Sequence, residues 1–295
     1  MSEEQIVVQL NPDVPPTGSD LGIVNAARKS FGRRSEWEYD TNVDPYGDGS
    51  VEYKLKDKDK RLLEFLARGM TADDFDSLVW HFRNLDLDSE RGDLLDDSIV
   101  EKLWQWRNTP THDTPFNHGF FSFEVKAPIF VARQLVKHEY LIMSEYSRRY
   151  ITDDIEFYTP TVWRGKAEDV KQGSAGEVEG VWDLQIPTGA TVVDEYDQSI
   201  DEVTTCTMNF MEAQAGFYGE LLKAGVAPEQ ARMVLPQSLM TSWTWSGTLG
   251  AFAKMCQLRL AKDSQYETRL VAKEVYKHLC NQLPVAAPLL VEGVR

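Results

Sequence analysis

Cysteine is scarce. Cys206, Cys256 and Cys280 are the only three, far apart and without a CxxC pair. They make neither a disulfide framework nor a zinc site, no other metal site is read from the sequence, and a reducing cytoplasm fits best. Basic charge is the second shortage: 31 Lys and Arg stand against 47 Asp and Glu, a net charge of −16. Gripping nucleic-acid backbone needs a basic footprint, so this balance argues against a nucleic-acid partner, and against anionic membranes for the same reason. No apolar run reaches membrane-spanning length, and Met1 to Pro15 lacks the basic-then-apolar pattern of a signal peptide. Repeats and low-complexity segments are also missing. What is present is core material: 42% of the 295 residues are hydrophobic and 11% aromatic, which rules out wholesale disorder.

The pattern predicts one α+β domain over 1–295, with insertions. Gln5 to Leu10 alternates as a short strand, and Asn11 to Gly18 is a turn-rich loop. Ile23 to Phe31 reads as a helix with Ala26, Ala27 and Phe31 inward. Leu62 to Arg68 is a short amphipathic helix ended by Gly69. Phe120 to Lys126 is an aromatic, alternating strand, and Pro128 opens a helical pattern from Ile129 to Tyr140. Asp194 to Ala224 reads as one long helix, with Val203, Met208, Met211, Phe217, Leu221 and Leu222 inward, closed by Gly225. Pro228 starts the next helix, Leu239 to Trp245 is extended, and Ser264 to Glu267 forms a capping box for a helix to about Leu279. Insertions fall at about 33–55 and 165–188, the first polar and the second rich in Gly and charge. The acidic run 86–101 briefly suggests a calcium loop at Asp86, Asp88 and Glu90. But Gly92 sits at position seven and Asp97 at position twelve, so a solvated charged region is the better reading.

Two regions run against the acidic balance. Residues 126–166 hold seven Lys and Arg against five carboxylates, and 223–273 hold seven against three. Arginine matches phosphate with paired donors, so local positive fields of this kind suit a small anion such as a nucleotide phosphate; the bland alternative is two salt-bridged helix faces. Gln134, Lys137 and His138 lie three and four apart, on one helical face, followed by Ser144-Glu-Tyr-Ser-Arg-Arg-Tyr150.

These segments carry a resemblance. His112-Asp-Thr-Pro-Phe-Asn-His118, Val125 to Gln134, Lys137-His-Glu139, Ser144 to Tyr150 and Phe157-Tyr-Thr-Pro160 resemble, in collinear order, the flavin-dependent thymidylate synthases. So do Ala224-Gly-Val226, Ala231 to Pro236, Leu258-Arg259, and Gln265 with Glu267, while Ala26 to Phe31 looks like the family's first helix. The resemblance covers a core at about 22–290, with 70–109 as a further insertion just before His112, and implies an antiparallel sheet with long helices in a homotetramer whose sites combine several subunits. It implies transfer of a one-carbon unit from 5,10-methylenetetrahydrofolate to C5 of dUMP, with flavin (FAD) as carrier and reductant and NADPH as electron source. None of the cysteines follows a proline, so the thiolate nucleophile of the other thymidylate synthase class has no candidate here.

By the same resemblance Arg259 is the catalytic arginine that stabilises the N3-ionised uracil. Arg149 and Arg232 bind the nucleotide, with Gln134, Glu145, Tyr146, Ser147 and Arg148 lining its pocket. Ser147 matches a serine once considered a nucleophile; no evident base accompanies it, so binding is its expected role. Ser30, His112, Thr114 and His138 match positions around the flavin, together with Lys137, Glu139, Glu145, Thr248 and Lys254. The departures lie at the flavin end: Lys137-His138-Glu139 replaces the family's Arg-His-Arg, Thr248-Leu-Gly250 replaces a segment carrying Asn and Arg, and Lys254 replaces an Asn. Lysine lacks the arginine fork, and a carboxylate repels phosphate. Three readings stay open: a thymidylate synthase with an altered flavin grip, a hydroxymethylating or methylating relative acting on dCMP or dUMP, and a catalytically silent nucleotide-binding relative.

Overall fold

A computed structural model describes residues 5–39, 53–68, 112–166, 174–179 and 204–291, with short pieces at 77, 80, 185–187, 192–193 and 199–200. Four strands form an antiparallel sheet in the order β1-β2-β4-β3: β1 Val7–Leu10, β2 Phe120–Pro128, β3 Leu141–Glu145 and β4 Met240–Thr248. The central pair aligns Pro128 with Met240 and Phe120 with Thr248. Strict alternation gives this pair two different faces. Phe121, Phe123, Val125, Trp243 and Trp245 are buried on one. On the other, Thr244 Oγ1 donates to Glu124 at 2.7 Å and the hydroxyls of Ser122 and Ser246 lie 2.8 Å apart.

The described helices are α1 Asp20–Arg28, α2 Asp57–Arg68, α3 Ile129–Leu135, α4 Thr207–Lys223, α5 Pro228–Ala231, α6 Leu249–Arg259, α7 Tyr266–Gln282 and α8 Ala286–Val291, of which α3, α6 and α7 pack against the sheet. Phe252 of α6 meets Phe123 and Trp245 edge-on, at 5.0 and 5.2 Å between ring centres. Two further devices tie helices together. The Asp20 carboxylate accepts from the backbone of Val285 and Ala286 (3.0 and 2.8 Å), capping α8; burial raises its pKa and those two donors pull it down. Asp59, fully buried, takes both Arg28 Nη2 (2.5 Å) and the Ser35 hydroxyl, joining α1, α2 and the segment between.

The connections that position the site are abrupt. Pro128, with no N–H for the ladder, ends β2, and α3 starts at the next residue. Thr248 ends β4 and caps α6, its hydroxyl accepting from Ala251 N at 3.3 Å. The two helices therefore start at opposite ends of the sheet. Between α3 and β3 the chain reverses through Tyr140 at φ 64. Gly247 permits that reversal, since a Cβ there would lie 2.5 Å from the Leu141 side chain and 3.0 Å from the Tyr140 carbonyl.

Several expectations need correction. Phe31 is 78% exposed; Ile23 and Val24, with Asp20, form the buried face of α1. Helix α2 begins at Asp57, before Leu62. Helix α3 stops at Leu135, so Lys137, His138 and Glu139 occupy the reversal rather than a helical face. The long helix begins at Thr207; Ser199–Ile200 and Thr204–Cys206 before it are short strands, paired with Val192–Val193 and Gln185–Pro187. Phe217 is 54% exposed, not inward. Gly225, at φ 87, closes α4 as expected, with its own N–H and that of Val226 bonded to Leu222 and Leu221. The capping box does not form: Gln265 is the N-cap and makes no side-chain cap bond, while the Ser264 hydroxyl is buried without a partner among the described residues. The loop tip at 45–49, Gly69, the acidic run at 86–101 and Val203 lie outside the described residues, as does nearly all of the 70–109 insertion; the 165–188 insertion begins in a ribbon pairing Trp163–Lys166 with Ser174–Val178.

Candidate active site

Helix α3, the end of β3 and the short helical turn Arg232–Val234 enclose a cavity of about 620 Å³. Three arginines line it: Arg133, Arg148 and Arg232. Arg148 is held from behind, its guanidinium donating to the carbonyls of Asp153 and Asp154 (the latter at 2.8 Å), while its buried Nε has no partner among the described residues. A fixed, incompletely satisfied guanidinium facing a cavity is a strong anion site. Glu145 lines the same cavity and accepts from Thr241 Oγ1 at 2.9 Å. Tyr146 and Ser147 line it as well. The Ser147 hydroxyl accepts from the Arg149 amide, at 3.4 Å, and no base among the described residues is bonded to it, which fits a binding role better than nucleophilic attack. Arg149 does not line the cavity; it pairs at 3.4 Å with Glu229, which does.

Arg259 and Gln134 also lie off the cavity lining. The C-terminal ends of α3 and α6 meet, and Arg259 joins them: Nη2 donates to the Gln134 carbonyl at 3.1 Å and Nε to His138 Nε2 at 2.9 Å. A cation in the last turn of one helix thus satisfies a terminal carbonyl of another. The Gln134 side chain faces α7, its amide donating to Gln265 and accepting from Thr268 Oγ1 at 3.0 Å. Gln134 was expected in the nucleotide pocket; here its amide is committed elsewhere, and its carbonyl orients Arg259.

Since His138 Nε2 accepts, the ring proton sits on Nδ1 and the imidazole is neutral. Burial, with the Arg259 charge second, pushes its pKa down to about 4; burial also lowers that of Arg259. The folded pKa lies below the unfolded value of about 6.5, so stability from His138 is complete above pH 6.5 and is lost as pH falls towards 4. After discount for partial solvent contact, the expected loss is ~1–3 kcal/mol. Urea unfolding at pH 7.5 and 4.5 checks this; His138→Gln is expected to flatten the dependence.

The expected flavin residues fall into separate groups. Thr248 and Lys254 meet the turn Thr114–His118: Thr248 Oγ1 donates to Asn117 Oδ1 at 2.7 Å, and Lys254 pairs with Asp113 at 3.2 Å. Thr114 starts that turn, and His112 stacks against Phe65, 6.5 Å between ring centres. Lys137, His138 and Glu139 gather at the other end of α6. Ser30 is exposed and donates to Ala27 O, with no bond to either group.

Comparison with known proteins decides the family. The model of the thymidylate synthase complementing proteins matches residues 16–285. The chain belongs to this family. A flavin-dependent thymidylate synthase of Thermus thermophilus is 34% identical over 192 residues, 65% of this chain and 62% of that protein. The chain thus matches less than two thirds of that relative's length. The flavin-dependent thymidylate synthase of Thermotoga neapolitana is 28% identical over 267 residues, covering 90% of this chain and 83% of the relative. The crystal structure of a UMP/dUMP methylase, PolB from Streptomyces cacaoi bound with 5-Br dUMP, shares the fold at a TM-score of 0.59 and 22% identity, over 97% of this chain and 95% of that one.

Family membership implies a flavin cofactor, and the donor set here fits one. Hydroxyls (Thr114, Thr248), an amide (Asn117), a ring (His112) and ammonium groups (Lys137, Lys254) are the chemistry that holds a ribityl chain and phosphates. Beside Gly250 the space is filled: a Cβ would lie 2.6 Å from Asn117 Oδ1. Asn117 thus brings an amide to the helix start where the family's segment usually carries Asn and Arg. Sequence reasoning missed Asn117, Asp113, Arg133, Gln265 and Thr268 as working parts of the site. Arg133 stood in the basic count and inside the Val125–Gln134 segment of the resemblance, without a role of its own. Among the described residues no group of three or more His, Cys, Asp or Glu suits a metal ion, and no helix is long and apolar enough to cross a membrane. Burial raises the Cys256 thiol well above its ordinary pKa, which makes it a poor nucleophile at neutral pH.

Proposed function

We propose that the protein transfers a one-carbon unit from 5,10-methylenetetrahydrofolate to C5 of dUMP, giving dTMP, as one domain spanning the chain and in the cytoplasm. The observation that carries this is the three-arginine cavity beside the fixed Arg259–His138 pair, in a family whose relatives are named for this reaction. Arg148 and Arg232 hold the nucleotide phosphate, with Arg149 at the edge of that field. Arg259, anchored through two of its nitrogens, keeps N–H groups for the uracil O2 and N3. A fixed cation there stabilises the N3-ionised base and raises electron density at C5. His138 stays neutral, so it holds Arg259 without competing with its charge. Flavin (FAD), when bound and replenished by NADPH, would supply the reducing equivalents and a carrier for the one-carbon unit. Its residues would be Ser30, His112, Thr114, Lys137, His138, Glu145, Thr248 and Lys254. These do not gather at one place within one chain, which supports a site completed by other copies, in a homotetramer. The test is absorbance of the purified protein for flavin, then identification of the product from dUMP and from dCMP with methylenetetrahydrofolate and NADPH. Absence of dTMP from dUMP overturns the reading.

Arg232→Ala is expected to weaken dUMP binding by about 1.5–3 kcal/mol, the range for a hydrogen bond to a charged group. Calorimetry checks it. Deoxyuridine binding as tightly as dUMP would remove the phosphate from the account.

One observation favours the second reading, hydroxymethylation. Glu139 is exposed at the Arg259 end of α6, where relatives carry arginine, and no bond to the described residues commits its carboxylate. In the first reading it only repels the flavin pyrophosphate, and Glu139→Arg tightens FAD, most at low salt. In the second, Glu139 positions a water that intercepts the methylene, and Glu139→Gln shifts product from hydroxymethyl to methyl. FAD titration with nucleotide product analysis separates the two.

A further inference from the structure

Helix α3 has seven residues, too few to hold its last turn unaided, yet that turn supplies the carbonyl on which Arg259 rests. The turn is held from α7, through the Gln134 side chain. Its Nε2 donates to Gln265 Oε1, and its Oε1 accepts from Thr268 Oγ1 at 3.0 Å. Gln265 Nε2 donates in turn to Glu267 Oε2 at 3.1 Å. Thr268 is fully buried, so Gln134 reaches the packed side of α7. Gln265 and Glu267 line a separate cavity and no part of the three-arginine one.

The direction of every bond in this chain follows from one group. An amide can be turned end for end with almost no change of shape, which exchanges its donor for its acceptor. A hydroxyl also works either way. Without a fixed end, two opposite arrangements of Gln265, Gln134 and Thr268 would satisfy the same contacts. An ionised carboxylate only accepts. Glu267 therefore takes a donor from Gln265. That leaves Gln265 Oε1 for the Gln134 amide N–H, and Gln134 Oε1 for the Thr268 hydroxyl, which is the arrangement observed. Glu267 stands in the first turn of α7, where the helix dipole attracts negative charge.

We propose that Glu267 is a positioning residue for the reaction: it fixes the direction of the chain Glu267–Gln265–Gln134, with Thr268 at the far end, and so holds the Gln134 carbonyl in place for Arg259. The Gln134 side chain is locked to α7, its backbone oxygen takes Arg259 Nη2 at 3.1 Å, and Arg259 Nε reaches His138 at 2.9 Å. The guanidinium thus owes its place to a carboxylate outside the nucleotide cavity. The effect on rate rests on the reaction proposed above; the effect on Arg259 and His138 does not.

Glu267→Gln keeps the size of the side chain and removes the fixed acceptor. It is expected to lower kcat about tenfold, short of the hundredfold that a misplacement of about 1 Å can cost. Affinity for dUMP, by calorimetry, is expected to stay within threefold of the parent. Thr268→Val is expected to lose a similar factor in kcat, and Thr268→Ser to regain it. In an Arg259→Ala background, Glu267→Gln is expected to cost nothing further. The second readout is the imidazole nitrogen NMR spectrum of His138, assigned by His138→Gln. The parent is expected to show the Nδ1–H tautomer alone, and Glu267→Gln and Thr268→Val a mixture of both. A loss of rate that persists in the Arg259→Ala background, or a parental rate with a single tautomer in Glu267→Gln, overturns the inference. Should Glu267→Gln fail to fold, the two Thr268 variants decide in the same way. Absence of dTMP with the parent overturns the proposed reaction instead, and the His138 spectrum alone then decides the positioning.

Discussion

Replacing Arg259 by Ala is expected to cut turnover a hundredfold or more while the protein stays folded and keeps its flavin. Arg259 is fixed by two bonds to a neighbouring helix end, its Nε to His138 and its Nη2 to the Gln134 carbonyl. A cation held this way needs no rearrangement when negative charge develops beside it. Losing such a preorganised contact costs about 3–4 kcal/mol in the barrier. Arg259→Lys keeps the charge and loses the two-point anchor, so an intermediate rate is expected. Steady-state rates, with flavin absorbance and a thermal melt on each variant, test the idea. A variant within threefold of the parent takes Arg259 out of the chemistry.

Arg28→Ala is expected to destabilise the fold by about 3–5 kcal/mol, the cost of leaving a buried carboxylate without its cation. The carboxylate is Asp59, fully buried, whose charged partner is Arg28 at 2.5 Å. The Ser35 hydroxyl alone cannot replace a guanidinium. The pair itself is not the source of stability, because both charges were taken out of water. The double variant Arg28→Met with Asp59→Leu is therefore expected to recover most of the loss. Urea unfolding of the three proteins decides. An Arg28→Ala loss under about 1 kcal/mol would mean that water reaches Asp59.

Much of this architecture was legible in the residues. The strands β1 and β2 announce themselves by alternation, β4 by its aromatic residues, and Gly225 by its place after an apolar periodic run. The family followed from motifs spread along the chain. Misreadings arose where distant contacts outweigh local preference. Lys137-His138-Glu139 continues a helical pattern, yet the chain must turn there to lay β3 against β4, and His138 is drawn to Arg259, 121 residues away. Ser264 carries a capping signature that the helix start one residue later leaves unused. Thr204–Cys206, rich in β-branched side chains, pairs with Gln185–Pro187 instead of opening α4. The Gln134 amide could not be assigned a direction from sequence, because Thr268 and Gln265 decide it. Arg133 and Asn117 lacked any spacing rule; only the closed fold brings them to the cavity and to Thr248.

Helix α6 is pinned at both ends, by the Thr248 cap and by the Arg259 bonds, with 11 residues between its bounds. It therefore works as a ruler. Inserting or deleting one residue inside it rotates everything beyond by about 100° and shifts it by about 1.5 Å, which carries Arg259 off the end of α3. Point changes on its outer side leave that register alone. A library with single-codon deletions across 249–259 should lose nucleotide turnover at every position, while substitutions at Leu258, 56% exposed, are widely tolerated.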